Sequence, residues 1–179
     1  MLTFVRASPA AASAASEGML WLSFEKRCVS RQRVRLENGV EAGLVLPRGT
    51  VLRDGDILES EEGRTALVRA SLEELSLALC PDPLSTARVA YHLGNRHACV
   101  MLGEGAVRYL ADHVLDQLVA GLGITVRRVR EPFQPEAGAY GFTPADAMIS
   151  LLSVPPALRR PETVPGESPT PGTPRREPQ

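Results

Sequence analysis

Excess charge of one sign, aromatic rings and long apolar runs are all scarce in this 179-residue chain. Twenty Lys and Arg against 21 Asp and Glu leave a formal net charge of −1, and aromatics make up 4% of the residues. Near-neutrality leaves no basic footprint for nucleic acid or an anionic membrane, and so few rings make a poor platform for stacking bases. No apolar run approaches the roughly 18 residues that span a bilayer. The opening "MLTFVRASPAAASAASEG" is Ala/Ser-rich but lacks the continuous apolar core of a secretory signal. The three cysteines, Cys28, Cys80 and Cys99, are odd in number, far apart and form no C-x-x-C unit. That pattern suits free thiols in a reducing compartment, and the cytoplasm is the expected location. No G-x-S-x-G, H-E-x-x-H, phosphate-binding loop or dinucleotide glycine fingerprint is present, so nucleophilic catalysis has little to stand on.

What is there is an ordinary globular composition, 44% hydrophobic and 23% charged, enough for one domain or two small ones. Three regions separate by texture. In residues 1–79, "RVRLE" alternates, with Val34 and Leu36 on one face and Arg33, Arg35 and Glu37 on the other. Asn38-Gly39 follows as a hairpin signal, and "VEAGLVL" reads as the return strand. Turns at Pro47-Arg48-Gly49, Asp54-Gly55 and Glu62-Gly63 separate further short β-rich runs. The region reads as a small all-β domain. "SLEELSLALC" has the capping-box spacing of Ser71 and Glu74 but also the strand alternation of Leu75, Leu77 and Leu79, and it is read as a strand.

A short linker near Cys80-Pro81-Asp82-Pro83 opens the second region, 80–153, and is expected to permit relative domain motion. "PLSTARVAYHLG" reads as a helix with Pro83 near its start and Gly94 just past its end. "ACVML" reads as a buried strand. "VRYLADHVLDQLVAGLG" reads as a long helix, with Leu110, Val114, Leu118 and Leu122 on one face and Asp112, His113, Asp116 and Gln117 on the other. "ITVRRVR" closes the unit as a strand. The overall expectation is an α+β protein whose second domain is a ferredoxin-like βαββαβ sandwich. Residues 154–179 hold eight of the fifteen prolines and almost no large apolar residues, so they are expected to form a disordered tail.

The chain has three histidines, and "YHLGNRH" holds His92 and His97. His97 follows the expected helix stop, on a loop or strand start. One imidazole cannot hold a transition metal firmly, but a residue on a two-fold axis meets its own copy, which would make a bis-imidazole site. His92, in the last helical turn, suits interaction with the C-terminal carbonyls. His113 has Asp116 three residues on, a spacing able to hold a surface metal or simply to form a solvated face.

Several stretches together resemble the urease accessory nickel metallochaperone family, the E component of the urease maturation system. They are "SRQRVRLENGVEAGLVLPRGTVLRDGDIL", "AYHLGNRH", "DHVLDQLVAGLG" and "EPFQPEAGAY", in order from Ser30 to Tyr140. The resemblance implies a protein-docking β domain, a ferredoxin-like metal-binding domain and a homodimer formed through the latter. It implies no enzyme but a carrier of Ni(II) cargo, with Zn(II) or Cu(II) as substitutes in vitro. Implied partners are the urease apoprotein complex and its accessory GTPase, with no nucleic acid and no membrane. The family's shared nickel ligand falls on His97; His113 matches a secondary metal-binding histidine and His92 the helix-end histidine, while Asp116 enters as a ligand through its spacing from His113 alone. The chain departs from the family after "GAY", where it carries no histidine at all. Two rival readings remain: an assembly scaffold without nickel transport, and a metal-dependent hydrolase in which His92, His97 and His113 of one chain share an ion.

Overall fold

The computed structural model describes residues 2–9 and 16–137, and the expected Pro-rich tail lies outside the described residues. The first sheet contains β1 (Leu2–Ser8), β2 (Ser16–Leu22), β3 (Arg31–Arg35), β4 (Glu41–Val45), β5 (Ile57–Ser60) and β6 (Thr65–Ala70), in the order β2-β6-β5-β1-β4-β3. A single turn, α1 (Phe24–Arg27), links β2 to β3. The alternation read in "RVRLE" is realised. Val34 and Leu36 join the core built on Phe4, Leu20, Leu44, Leu58 and Val68, while Arg31, Arg33 and Arg35 face solvent. Asn38-Gly39 turns the β3–β4 hairpin. Gly39 adopts φ 86°, and the Asn38 side chain accepts from the Val40 N–H. Positive φ is open to glycine because it lacks a Cβ.

The second sheet contains β7 (Leu72–Leu79), β8 (Val100–Gly103), β9 (Ala106–Leu110) and β10 (Thr125–Pro132), with α2 (Pro83–Gly94) after β7 and α3 (His113–Gly121) after β9. Its order is β10-β7-β9-β8 and every neighbouring pair is antiparallel. This is the expected ferredoxin-like βαββαβ arrangement.

Two details differ from the sequence reading. The sequence reading places β7 with residues 1–79, yet among the described residues it pairs only with β9 and β10. The chain therefore changes sheet at Ser71, and Cys80–Pro83 is the β7–α2 connection rather than an interdomain linker. Leucine alternation shows that β7 is a strand but not which sheet accepts it. The long helix expected from Val107 is also two elements. Val107 and Tyr109 are fully buried in β9, alternating as a strand does, and Asp112 then caps α3 by accepting from the Val114 and Leu115 N–H groups. The buried stripe of α3 is Leu115, Leu118 and Val119, whereas Val114 is exposed.

The two domains meet in a built interface. Phe24 from α1 packs edge-on against Phe133, with ring centroids 5.5 Å apart, and Leu75 completes the buried cluster. Arg27, only 1% exposed, lies over the Phe24 ring and donates to the Leu52 and Phe133 carbonyls. The Glu73 carboxylate accepts from the Phe24 N–H, and the Gln134 side chain accepts from the Asp54 N–H. After β10 the chain crosses the sheet face that lies opposite the helices. There the Gln134 N–H donates to the Met101 sulfur and the Glu136 N–H to the Val100 carbonyl.

Candidate metal site

α2 begins at Asp82, whose side chain accepts from the Ser85 N–H, with Pro83 in the first turn. Its Val89 and Leu93 face the sheet. The end of the helix determines how His97 is presented. Gly94 is not the stop: it is the last helical residue, and the winding continues through Asn95 and Arg96. The His97 N–H then bonds the Gly94 carbonyl at 2.9 Å and the Ala98 N–H bonds the Leu93 carbonyl at 3.1 Å. These two bonds define a Schellman turn, with Ala98 packed back towards Leu93. His97 occupies the left-handed position of that turn, at φ 55°, and among the described residues it is the one non-glycine with positive φ.

That position ordinarily takes glycine, because a Cβ there crowds the backbone by about 1–2 kcal/mol. A histidine held in such a conformation, with its side chain exposed, points to a use for the imidazole beyond folding. The C-terminal carbonyls of α2 place partial negative charge beside it, which favours a cation.

His113 is the first residue of α3 and is exposed. Val100, three residues after His97, pairs with Tyr109, four residues before His113, so the two histidines belong to the same end of the sheet. His92 lies in the last turn of α2, half-buried and edge-on to Tyr91. Asp116 does not stand free beside His113. One of its oxygens accepts from the buried Tyr109 hydroxyl at 3.0 Å, and the other from Arg128 at 2.6 Å. Burial, with the Asp116 carboxylate as a hydrogen-bond acceptor, pushes the Tyr109 hydroxyl well above its ordinary pKa. Arg128 also donates to Ser76, so this network joins α3 to β7, β9 and β10.

Among the described residues no three His, Cys, Asp or Glu side chains gather closely enough to hold a metal. The three histidines thus do not converge within one chain, as the hydrolase reading needs. A single exposed imidazole leaves most of an ion's coordination sphere open, and a second donor has to come from elsewhere.

Sequence reasoning missed Arg27 and Phe133 as residues of the interdomain contact and Tyr109 as the partner of Asp116. "EPFQPE" was a visible motif, but nothing in the sequence marks Arg27 as buried.

The chain matches two adjoining family domains: the N-terminal domain of the UreE urease accessory protein over residues 4–71, and its C-terminal domain over residues 73–148. The change from one to the other coincides with the start of β7. It is similar to the urease accessory protein UreE of Proteus mirabilis, with 52% identity over 122 residues covering 68% of this chain and 76% of the relative. The corresponding protein of Vibrio parahaemolyticus is 53% identical over 120 residues, covering 67% of this chain and 76% of the relative. That of Alkalilimnicola ehrlichii is 46% identical over 141 residues, covering 79% and 85%. No helix among the described residues is long and apolar enough to cross a membrane. The chain belongs to the UreE urease accessory protein family, an accessory rather than an enzymatic family tied to assembly of the urease nickel metallocentre.

Proposed function

We propose that this protein carries Ni(II) to urease in the cytoplasm, holding the ion between the His97 imidazoles of two protomers. The observation that carries this reading is His97 itself: exposed, left-handed, and fixed by the Schellman turn at the end of α2. Two imidazoles completed by water give an open site from which an ion can be handed on. His113, at the same end of the sheet, serves as a peripheral ligand, and His92 stands behind as a lesser candidate. Asp116 serves the fold, since both its oxygens are engaged.

Exposed apolar side chains support a dimer through the second domain. Leu84 and Tyr91, seven residues apart on α2, are 61% and 65% exposed, and Val114 at the start of α3 is 53% exposed. Residues seven apart share one helix face. The first domain docks the urease apoprotein complex, and the accessory GTPase engages the loaded dimer. Zn(II) or Cu(II) can replace Ni(II) in vitro, as imidazole donors accept all three.

The test is delivery. Nickel-loaded protein, mixed with nickel-free urease complex and a chelator that removes free metal, should yield active urease, and the His97→Ala protein should not. Equal activation by the variant would leave a scaffold in place of a carrier.

A further inference from the structure

The two outer strands of the first sheet, β2 and β3, approach each other at one end. There the Glu37 N–H donates to the Met19 carbonyl, the Asn38 side chain to the Glu17 carbonyl and the Trp21 indole to the Glu37 carboxylate. Beyond that end the strands part around a groove of about 410 Å³. Leu20, Leu22 and Val34 give the groove apolar walls, and Trp21, Lys26 and Arg33 line it with them.

β3 presents a free backbone edge to this groove. The Leu46 N–H bonds the Ser30 carbonyl at the start of the β3–β4 ladder, and the Leu36 N–H bonds the Val40 carbonyl at its end. Arg33 stands opposite Gly43 between them. Hydrogen-bonded pairs recur at every second residue of an antiparallel ladder, so Ser30, Gln32, Val34 and Leu36 serve β4. The N–H and C=O groups of Arg31, Arg33 and Arg35 point away from it, and their side chains share the exposed face. Arg35 pairs with Glu41 at 2.7 Å, and Glu37 is engaged by Trp21. Lys26, Arg31 and Arg33 hold no ion pair among the described residues.

We propose that β3 takes up an extended acidic segment of a partner protein as an added strand, its backbone bonding Arg31, Arg33 and Arg35 and its carboxylates meeting their side chains. Residues of the added strand opposite the arginines share the exposed face, where carboxylates pair with them. The residues between turn towards Val34, where apolar side chains fit. The segment therefore alternates acidic and apolar residues. A second copy of β3 is disfavoured as the occupant, because it would set arginine against arginine. The proposal rests on the reading of the first domain as a protein-docking domain, and it is independent of nickel carriage.

The experiment titrates the full chain with a capped peptide of alternating valine and glutamate. Binding is read by fluorescence of Trp21, the chain's single tryptophan, and by hydrogen exchange at single amides. The expected result is a saturable fluorescence change with new protection at Arg31, Arg33 and Arg35. The Arg31→Glu/Arg33→Glu double variant should bind about tenfold more weakly, as two cross-strand pairs turn from attractive to repulsive. A peptide of the same charge, N-methylated at alternate residues, should not bind. Equal binding of the methylated peptide or of a valine–lysine peptide, or protection elsewhere, overturns the proposal. So does displacement of the peptide by oligo-dT at lower concentration, which would make the face a nucleic-acid surface. If the double variant fails to fold, the methylated peptide on the wild type decides. Nickel-free urease complex separates the surface from the reading beneath it. Capture by wild type and double variant alike overturns the β3 surface alone, and no capture by the wild type overturns both.

Discussion

Replacing His97 with glycine should strengthen the fold while removing the proposed nickel ligand. In the left-handed conformation at φ 55°, an L-residue costs about 1–2 kcal/mol relative to its right-handed alternative. Glycine relieves that strain but loses roughly 0.5–1 kcal/mol through the greater freedom of its unfolded chain. The imidazole is exposed, so little packing is lost with it. The net expectation is a gain of about 0.5–1 kcal/mol, a Tm rise of about 1–4 °C for a chain of this size. Alanine keeps a Cβ and therefore the strain, so His97→Ala should stay within about 0.5 kcal/mol of the wild type. Thermal and denaturant unfolding of the metal-free proteins, run side by side with nickel titrations, measures both properties. If glycine lowers Tm, or glycine and alanine behave alike, the left-handed turn is not a strained one held for the sake of the imidazole.

Three further outcomes follow from contacts around the site. Arg27→Met should destabilise by about 1–3 kcal/mol, because the Leu52 and Phe133 carbonyls lose their buried donor while a desolvated charge is removed; denaturant unfolding that shows a gain would contradict this. Asp116→Asn should weaken the fold through Tyr109 and Arg128 yet leave nickel titrations unchanged, and a matching loss of nickel would restore Asp116 as a ligand. Asp112 is held below the ordinary carboxylate range by the Leu115 and Val114 N–H groups. Its folded pKa thus lies under the unfolded value near 3.9, so its contribution is present above that pH and is lost as pH falls through the folded pKa. Asp112→Asn, which keeps a cap acceptor without the charge, should show a shallower fall of Tm below about pH 4, and an unchanged acid profile would refute the assignment.

Much of the fold was legible because local patterns and tertiary demands agreed. Asn38-Gly39 was readable since few residue pairs tolerate its backbone, and the strand of Val34 since its partners alternate with arginine. The errors lie where one pattern satisfies two structures. Leu110, Val114, Leu118 and Leu122 repeat at helical spacing, but Val107 and Tyr109 are buried on alternate positions of β9, and Asp112 marked the true helix start. Gly94 looked like a stop, whereas the left-handed position fell three residues later on His97. The interface was illegible for a different reason. Charge suggests exposure, and only the assembled fold supplies the two carbonyls and the Phe24 ring that let Arg27 be buried.

The most direct test of the central claim is nickel titration of the wild type beside His97→Ala, with the oligomeric state of each followed in the same samples. The account predicts one tight nickel ion for every two wild-type chains, carried by a dimer, and loss of that event in His97→Ala. One tight ion on an isolated wild-type protomer, or binding by His97→Ala equal to the wild type, would contradict it.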